Sequence, residues 1–214
     1  MSKDTQLALR DAAEWLGDGH PLAEQLGSAE GLVELASVSS LLRLKPVRNL
    51  ASLRRFLRDY QSKLLLPVEL PAVQAACEHA RRNELRELIA QDQALSDLNE
   101  LKSFARASRR VGRAQLQKLR PLRDERIVQR YLHAVETEEA HGWHTLVYGL
   151  TLAIYSLPLR QGLLGYGHQT LRGFIYAAAR SLRLSERDCR QTFDLVAEDL
   201  PGAVEGLLRP SVLA

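Results

Sequence analysis

The side chains with the most chemical potential in this chain of 214 residues fall in two runs. The first is His133, Glu136, Glu138, Glu139, His141 and His144. Imidazole and carboxylate are the ligands of first-row transition metals, so this run is where residue type allows a metal contact. The spacing is not His-Glu-x-x-His, although His141 and His144 share a face if one helix carries both, with Glu138 one turn earlier. The same residues also read as an acidic first turn of a helix with packed or solvated histidines. His141 and His144 are accordingly weak metal candidates, and no tightly bound cofactor is expected. The second run is Lys102, Arg106, Arg109 and Arg113, with Arg110 beside it. Guanidinium groups grip carboxylates and phosphates bidentately, which favours arginine at protein interfaces. The plainer reading is a solvated helix face with i,i+4 charge partners. Only Phe104 is interleaved, so there is no stacking platform for nucleic acid.

Other catalytic patterns are missing. Gly162, Gly165 and Gly167 precede a helical stretch but lack both the Gly-Lys-Ser/Thr ending and a preceding strand, so they form no phosphate loop. There is no Gly-x-Ser-x-Gly, and Asp92 and Asp97 are five apart, a spacing that does not place them face to face on a helix. Cys77 and Cys189 are far apart and make neither a disulfide framework nor a zinc site, so a reducing cytoplasm is the expected compartment. The residues argue against an enzyme.

The elements that must position these groups are helical. Hydrophobic residues are 45% and charged residues 26%, with 13 Gly and 8 Pro, an ordinary balance for a globular chain. About eight to ten helices and no strand pair are expected, in one all-α multi-helix bundle. Asn49 suits the N-cap of a helix over residues 50–61, Pro67 and Pro71 interrupt the chain before a helix through Val73 and Ala80, and Asn83 suits the cap of a segment over 84–91. A helix from about Ala94 to Leu119 then carries the arginines. Leu98, Leu101, Ala105, Ser108, Gly112 and Leu119 share its other face, and the small trio Ala105, Ser108 and Gly112 is a seam where a second helix can approach the backbone. Helices follow over about 124–135 and 143–155, the second apolar nearly all round and therefore central. That apolar stretch, free of charge from Gly142 to Leu159, reads as a buried helix rather than a membrane span. The next helix is expected only from about His168 to Leu182, beyond the loosening glycines. Ser185 with Asp188 forms a capping-box variant, and Pro201-Gly202 opens a short last helix. Residues 1–48 read as a helical segment packed on a main domain over 49–208, with a tail over 209–214. Formal net charge is +3, but its distribution is uneven: nine Lys or Arg lie between Lys102 and Arg126, and an acidic cluster follows at Glu136, Glu138 and Glu139. Patches of opposite sign suit docking to proteins.

The block Arg106-Ala107-Ser108-Arg109-Arg110-Val111-Gly112-Arg113 resembles the core of the UreF family motif, E-L-R-x-A-S-R-x-x-G-x-x-L-L. Asp92 stands at the family's earlier acidic position, with Gln91 in place of its Leu. His144-Thr145-Leu146-Val147-Tyr148-Gly149 is similar to the family's H-x-x-V-x-x-G, and it continues through Leu157-Pro158 and Ala178-Ala179-Arg180. Asn49 to Leu57 looks like the early A-S-L-x-x-F-L segment. The order and spacing of these blocks cover residues 49–196. The N-terminal family motif is barely recoverable, and the late motif keeps Arg180 and Leu184 but neither its Gly nor its Gln positions, as in a divergent member. The resemblance implies an all-helical, non-enzymatic urease-maturation factor that bridges UreD (also called UreH) and the GTPase UreG, so that nickel handled by the complex reaches apo-urease. It implies a possible homodimer, and the residues lead to the expectation of no nucleic-acid or membrane partner. It also carries over Arg106, Arg109, Arg110, Arg113 and Arg180 as candidates for partner binding. A helical interaction or regulatory protein that kept the fold without the urease role is the alternative.

Overall fold

The computed structural model describes residues 47–102 and 105–209. The expected helices upstream of Val47 and the C-terminal tail beyond Arg209 lie outside the described residues. Asn49 starts the first of the described helices, at the position anticipated. Its side chain accepts from Ser52 N at 2.9 Å, and Ser52 Oγ reciprocates to Asn49 N at 3.0 Å. This capping box satisfies donors that a helix start otherwise leaves open. Helix α1 spans Leu50–Tyr60, a π-helical segment spans Gln61–Glu69, and α2 spans Leu70–Arg81, the three running on without a break. Pro71 thus stands in the first turn of α2, at the helix entry the sequence suggested, but neither proline breaks the chain. Pro67 and Pro71, four apart, lack the N–H groups that an α register would direct to residues 63 and 67. A π register absorbs that loss, as Leu70 N donates to Leu65 O, five residues back.

Asn83, expected as a cap, instead has φ +57° and ends α2 in the left-handed conformation that Asn tolerates. Helix α3 spans Leu85–Asp97, a single 3₁₀ turn spans Asn99–Leu101, and α4 spans Ala105–Lys118. The long helix expected from Ala94 to Leu119 is thus two helices. Leu98 is extended (ψ 117°), flanked by Asp97 and Asn99, whose side chains compete with the helical backbone. Leu98 and Leu101 consequently leave the seam, and Lys102 leaves the arginine helix.

Helices α5 (Arg126–Glu136), α6 (His144–Ile154), α7 (Leu159–Leu182), α8 (Glu186–Ala197) and α9 (Leu200–Leu208) complete the domain, with no strand among the described residues. Every residue of α6 from His144 to Leu152 is buried, and α2, α4 and α7 pack around it, α2 most extensively. This is the central helix that its apolar character predicts. Helix α7 begins at Leu159, not His168, and runs straight through the glycines. A Cβ on Gly162 would collide with the Leu152 side chain, and one on Gly167 would meet Leu200 Cδ2 at 2.7 Å. These glycines are contact points where α7 meets α6 and α9, so close packing offsets their cost of about 1 kcal/mol each in helix propensity. Ser185 and Asp188 form the expected capping box. Both cysteines are buried and free.

Candidate functional site

Ser108 and Gly112 of the seam and two of the arginines, Arg109 and Arg113, converge on the loop that enters α6. Gly112 touches it directly. A Cβ there would overlap Gly142 O and would stand 2.6 Å from His144 N and 2.8 Å from Trp143 C. One turn away, Ser108 Oγ accepts from His144 N at 3.1 Å. Ser108 and Gly112 thus let the α4 backbone lie against the start of the central helix. Trp143, at the N-cap position of α6, has no side chain that can cap, so Ser108 supplies one acceptor from a different helix.

Asp92 supplies the others. This side chain on α3 is wholly buried. Its oxygens accept from His141 N at 2.6 Å, Gly142 N at 2.9 Å, Trp143 N at 3.4 Å and the Tyr131 hydroxyl at 2.6 Å. A buried carboxylate is costly unless donors surround it, and here backbone amides and a phenol do so. The Tyr131 proton is held tightly: burial, then the neighbouring Asp92, raise its pKa well above the usual phenol value. Ser96, one turn along α3, donates to Asp92 O and accepts from Trp143 Nε1 and from Arg109 Nη2, the last two at 3.0 Å. The Arg109 guanidinium lies over the Trp143 ring, 5.1 Å from its centroid. Arg113 Nε donates to His141 O at 3.0 Å.

The arginine row therefore divides. Arg109 and Arg113 hold the loop, while Arg106 and Arg110 are exposed on α4. Arg180 lies on α7, and its side chain is outside the described residues. The histidines also separate. His141 belongs to the loop before α6, so it shares no helix face with His144, because the helix starts only after the Asp92 cradle has turned the chain. His144 is buried with both ring nitrogens unpartnered among the described residues, its ring stacked on Tyr166 at 5.8 Å, and burial lowers its pKa to about 4. Glu139 and His133 instead line an open groove of ≈ 840 Å³ between α3 and α5, with Glu84, Glu87, Ile89 and Arg130. Glu136 pairs with Arg120. Among the described residues, no group of three or more His, Cys, Asp or Glu converges to hold a metal ion. No described helix is long and apolar enough to cross a membrane.

Sequence reasoning placed Asp92 at a family position but assigned it no task. Its partners lie as many as 51 residues away, beyond any helical spacing. The available signal was a lone acid on the apolar side of α3, one turn before Ser96.

The family model described as UreF matches residues 47–193. The chain belongs to the UreF family. The match takes in the Asp92 cradle, the α4 seam and all of α6. It makes the chain a member of a family of urease accessory proteins, not of a family of enzymes. No curated protein matches the chain.

Proposed function

We propose that this UreF-family chain is an adaptor in urease maturation that docks the accessory protein UreD and the GTPase UreG so that nickel, the cargo, reaches apo-urease. The family match over residues 47–193 carries this reading. The site adds a physical rationale. Arg106 and Arg110 are exposed on a helix whose opposite face is fixed to the core through Ser108 and Gly112. A preorganised surface loses less conformational entropy on docking, and arginines suit the carboxylates of a protein partner. A GTPase is influenced by such a surface only if its two nucleotide states bind it with different affinity.

Co-purification with UreD and UreG tests the reading. The chain assembles with them, and the double variant Arg106→Glu, Arg110→Glu weakens capture of a partner by tenfold or more, about 1.4 kcal/mol, while its far-UV circular dichroism keeps the helical content of the original. Failure of the unaltered chain to bind either protein, under conditions in which a control complex forms, refutes it. The alternative, a helical interaction protein outside the urease role, draws on the late motif: Ser185 and Asp188 there form a capping box instead of the family's Gly- and Gln-bearing sequence. Deleting the gene separates the two, since only an adaptor in maturation leaves urease present but nickel-free.

A further inference from the structure

A second, partly buried polar group lies away from the α4 surface, where the π segment joins α1 and Tyr60 packs against Phe174 of α7. Tyr60, the last residue of α1, donates its hydroxyl proton to Glu69 Oε1 at 2.8 Å. The bond joins the two ends of the π segment and fastens them side chain to side chain. Glu69 Oε2 is out of contact with solvent and has no hydrogen-bond partner among the described residues. Among the described residues, the titratable groups coupled to the carboxyl are phenols: Tyr60 from α1 and Tyr166 from α7. Tyr166 in turn shares a hydrogen bond with Thr145 of α6 at 3.2 Å and packs edge-on to Tyr148. Among the described residues the surroundings thus supply one donor to a group that needs several when ionised.

The backbone around it is also unusual. Nine successive π-helical residues with Pro67 among them exceed the single-turn bulges in which this geometry mostly occurs. The segment joins α1, which packs on α7 and α8, to α2, which packs mainly on α6. A change in it would alter how α1 is carried relative to the central helix.

We propose that the π segment Gln61–Glu69 is a proton-sensitive latch, closed when Glu69 is neutral and released when Glu69 ionises. In the closed state the neutral carboxyl sits in an apolar, phenol-lined site at little cost. Ionisation leaves a desolvated charge with the Tyr60 hydroxyl as its donor, and opening the segment returns that charge to water. The closed-state pKa fits this geometry: burial raises it from 4.5 to about 7, against a smaller lowering by the Tyr60 bond. An opened segment has the ordinary carboxyl value. Opening therefore becomes easier as pH rises from the ordinary value through about 7, and the opening equilibrium grows on the order of a hundredfold.

Hydrogen exchange of the full-length protein, corrected for the intrinsic pH dependence of amide exchange, tests the latch. Protection of residues 61–70 falls on the order of a hundredfold between about pH 5 and about pH 8, while the amides of α6 change much less. Glu69→Gln, which keeps the shape and cannot ionise, removes that fall. Tyr60→Phe removes the donor that favours the ionised form and moves the midpoint to higher pH. An unchanged pH profile in Glu69→Gln, or a loss of protection spread equally over α6, overturns the proposal. If Glu69→Gln does not fold, titration of the Glu69 carboxyl carbon by NMR in the unaltered chain decides: a midpoint near the ordinary carboxyl value also overturns it.

Discussion

Replacing Gly112 by Ala tests the packing seam through the sign of a stability change. On helix propensity alone the substitution stabilises by about 1 kcal/mol. The structure predicts the opposite. The three atoms nearest the new Cβ are backbone atoms of Gly142, Trp143 and His144, and backbone cannot swing aside as a side chain can. The Gly142 and Trp143 amides are also held by Asp92, so relief requires α4 to shift away from α6 and lengthens the Ser108 bond to His144. Overpacking of this kind costs about 1–3 kcal/mol, occasionally more. With rigid neighbours the upper part of that range applies, and the helix gain offsets only part of it. The expected net loss is about 2 kcal/mol, which lowers the melting temperature by about 4–8 °C in a chain of this size. Gly206 is the control, since a Cβ there meets nothing within 4 Å. Gly206→Ala should stabilise by up to about 1 kcal/mol. Thermal melts followed by circular dichroism, with urea titrations to confirm the free energies, measure both. A Gly112→Ala protein as stable as the original, or a pair of variants changing in the same direction, would refute the close approach of α4 to the start of α6.

Two further outcomes follow from the buried polar groups. Asp92→Asn keeps the volume but turns an N–H donor toward backbone amides that need an acceptor. It should cost about 2–3 kcal/mol in a urea titration, and it should loosen amide protection first at residues 141–143. A variant with unaltered stability would show that the cradle does not hold the loop. His144 makes stability depend on acid. Its pKa in the fold, about 4, lies below the ordinary 6.5, so between those values the unfolded chain binds more protons than the folded one. The contribution is present above pH 6.5 and is lost as pH falls through about 4, reaching about 3 kcal/mol. Glu69 acts with opposite sign, its contribution being present below the ordinary carboxyl value and lost as pH rises through about 7. The clean measurement is therefore the difference between the original chain and His144→Phe. That difference should be flat above pH 6.5 and should widen in favour of the variant toward pH 4. A difference independent of pH would mean that His144 is not held neutral by burial.

What could be read in the sequence was local. Asn49 and Ser185 announced helix starts because a capping box spans only four residues, and α6 announced itself by apolar residues on every side. The Ala105, Ser108 and Gly112 trio was legible as a seam because its spacing is helical, though the sequence alone did not say which element lay against it. Leu98 shows where this reasoning fails. Its spacing continued the seam, yet the chain turns there so that Ser96 on α3 and Arg109 on α4 can meet the same Trp143 side chain. The π register escaped notice because Pro67 and Pro71 signal a break equally well, and only continued packing of α1 and α2 selects an unbroken helix. The division of the arginines was hidden for a similar reason. Arg109 and Arg113 are employed by a loop that is remote in sequence, so residue type could not distinguish them from Arg106 and Arg110.

The Asp92 cradle has a mechanical consequence. By fastening residue 92 to Gly142, 50 residues along the chain, it closes a loop that contains α4 and α5 and pins that loop at its base. Force applied at Arg106 or Arg110 reaches the start of α6 through Ser108 on the same helix, which bonds His144 N, while the pin holds residues 141–143 just before it. A partner that pulls on the surface of α4 therefore loads the axis around which the whole domain is packed.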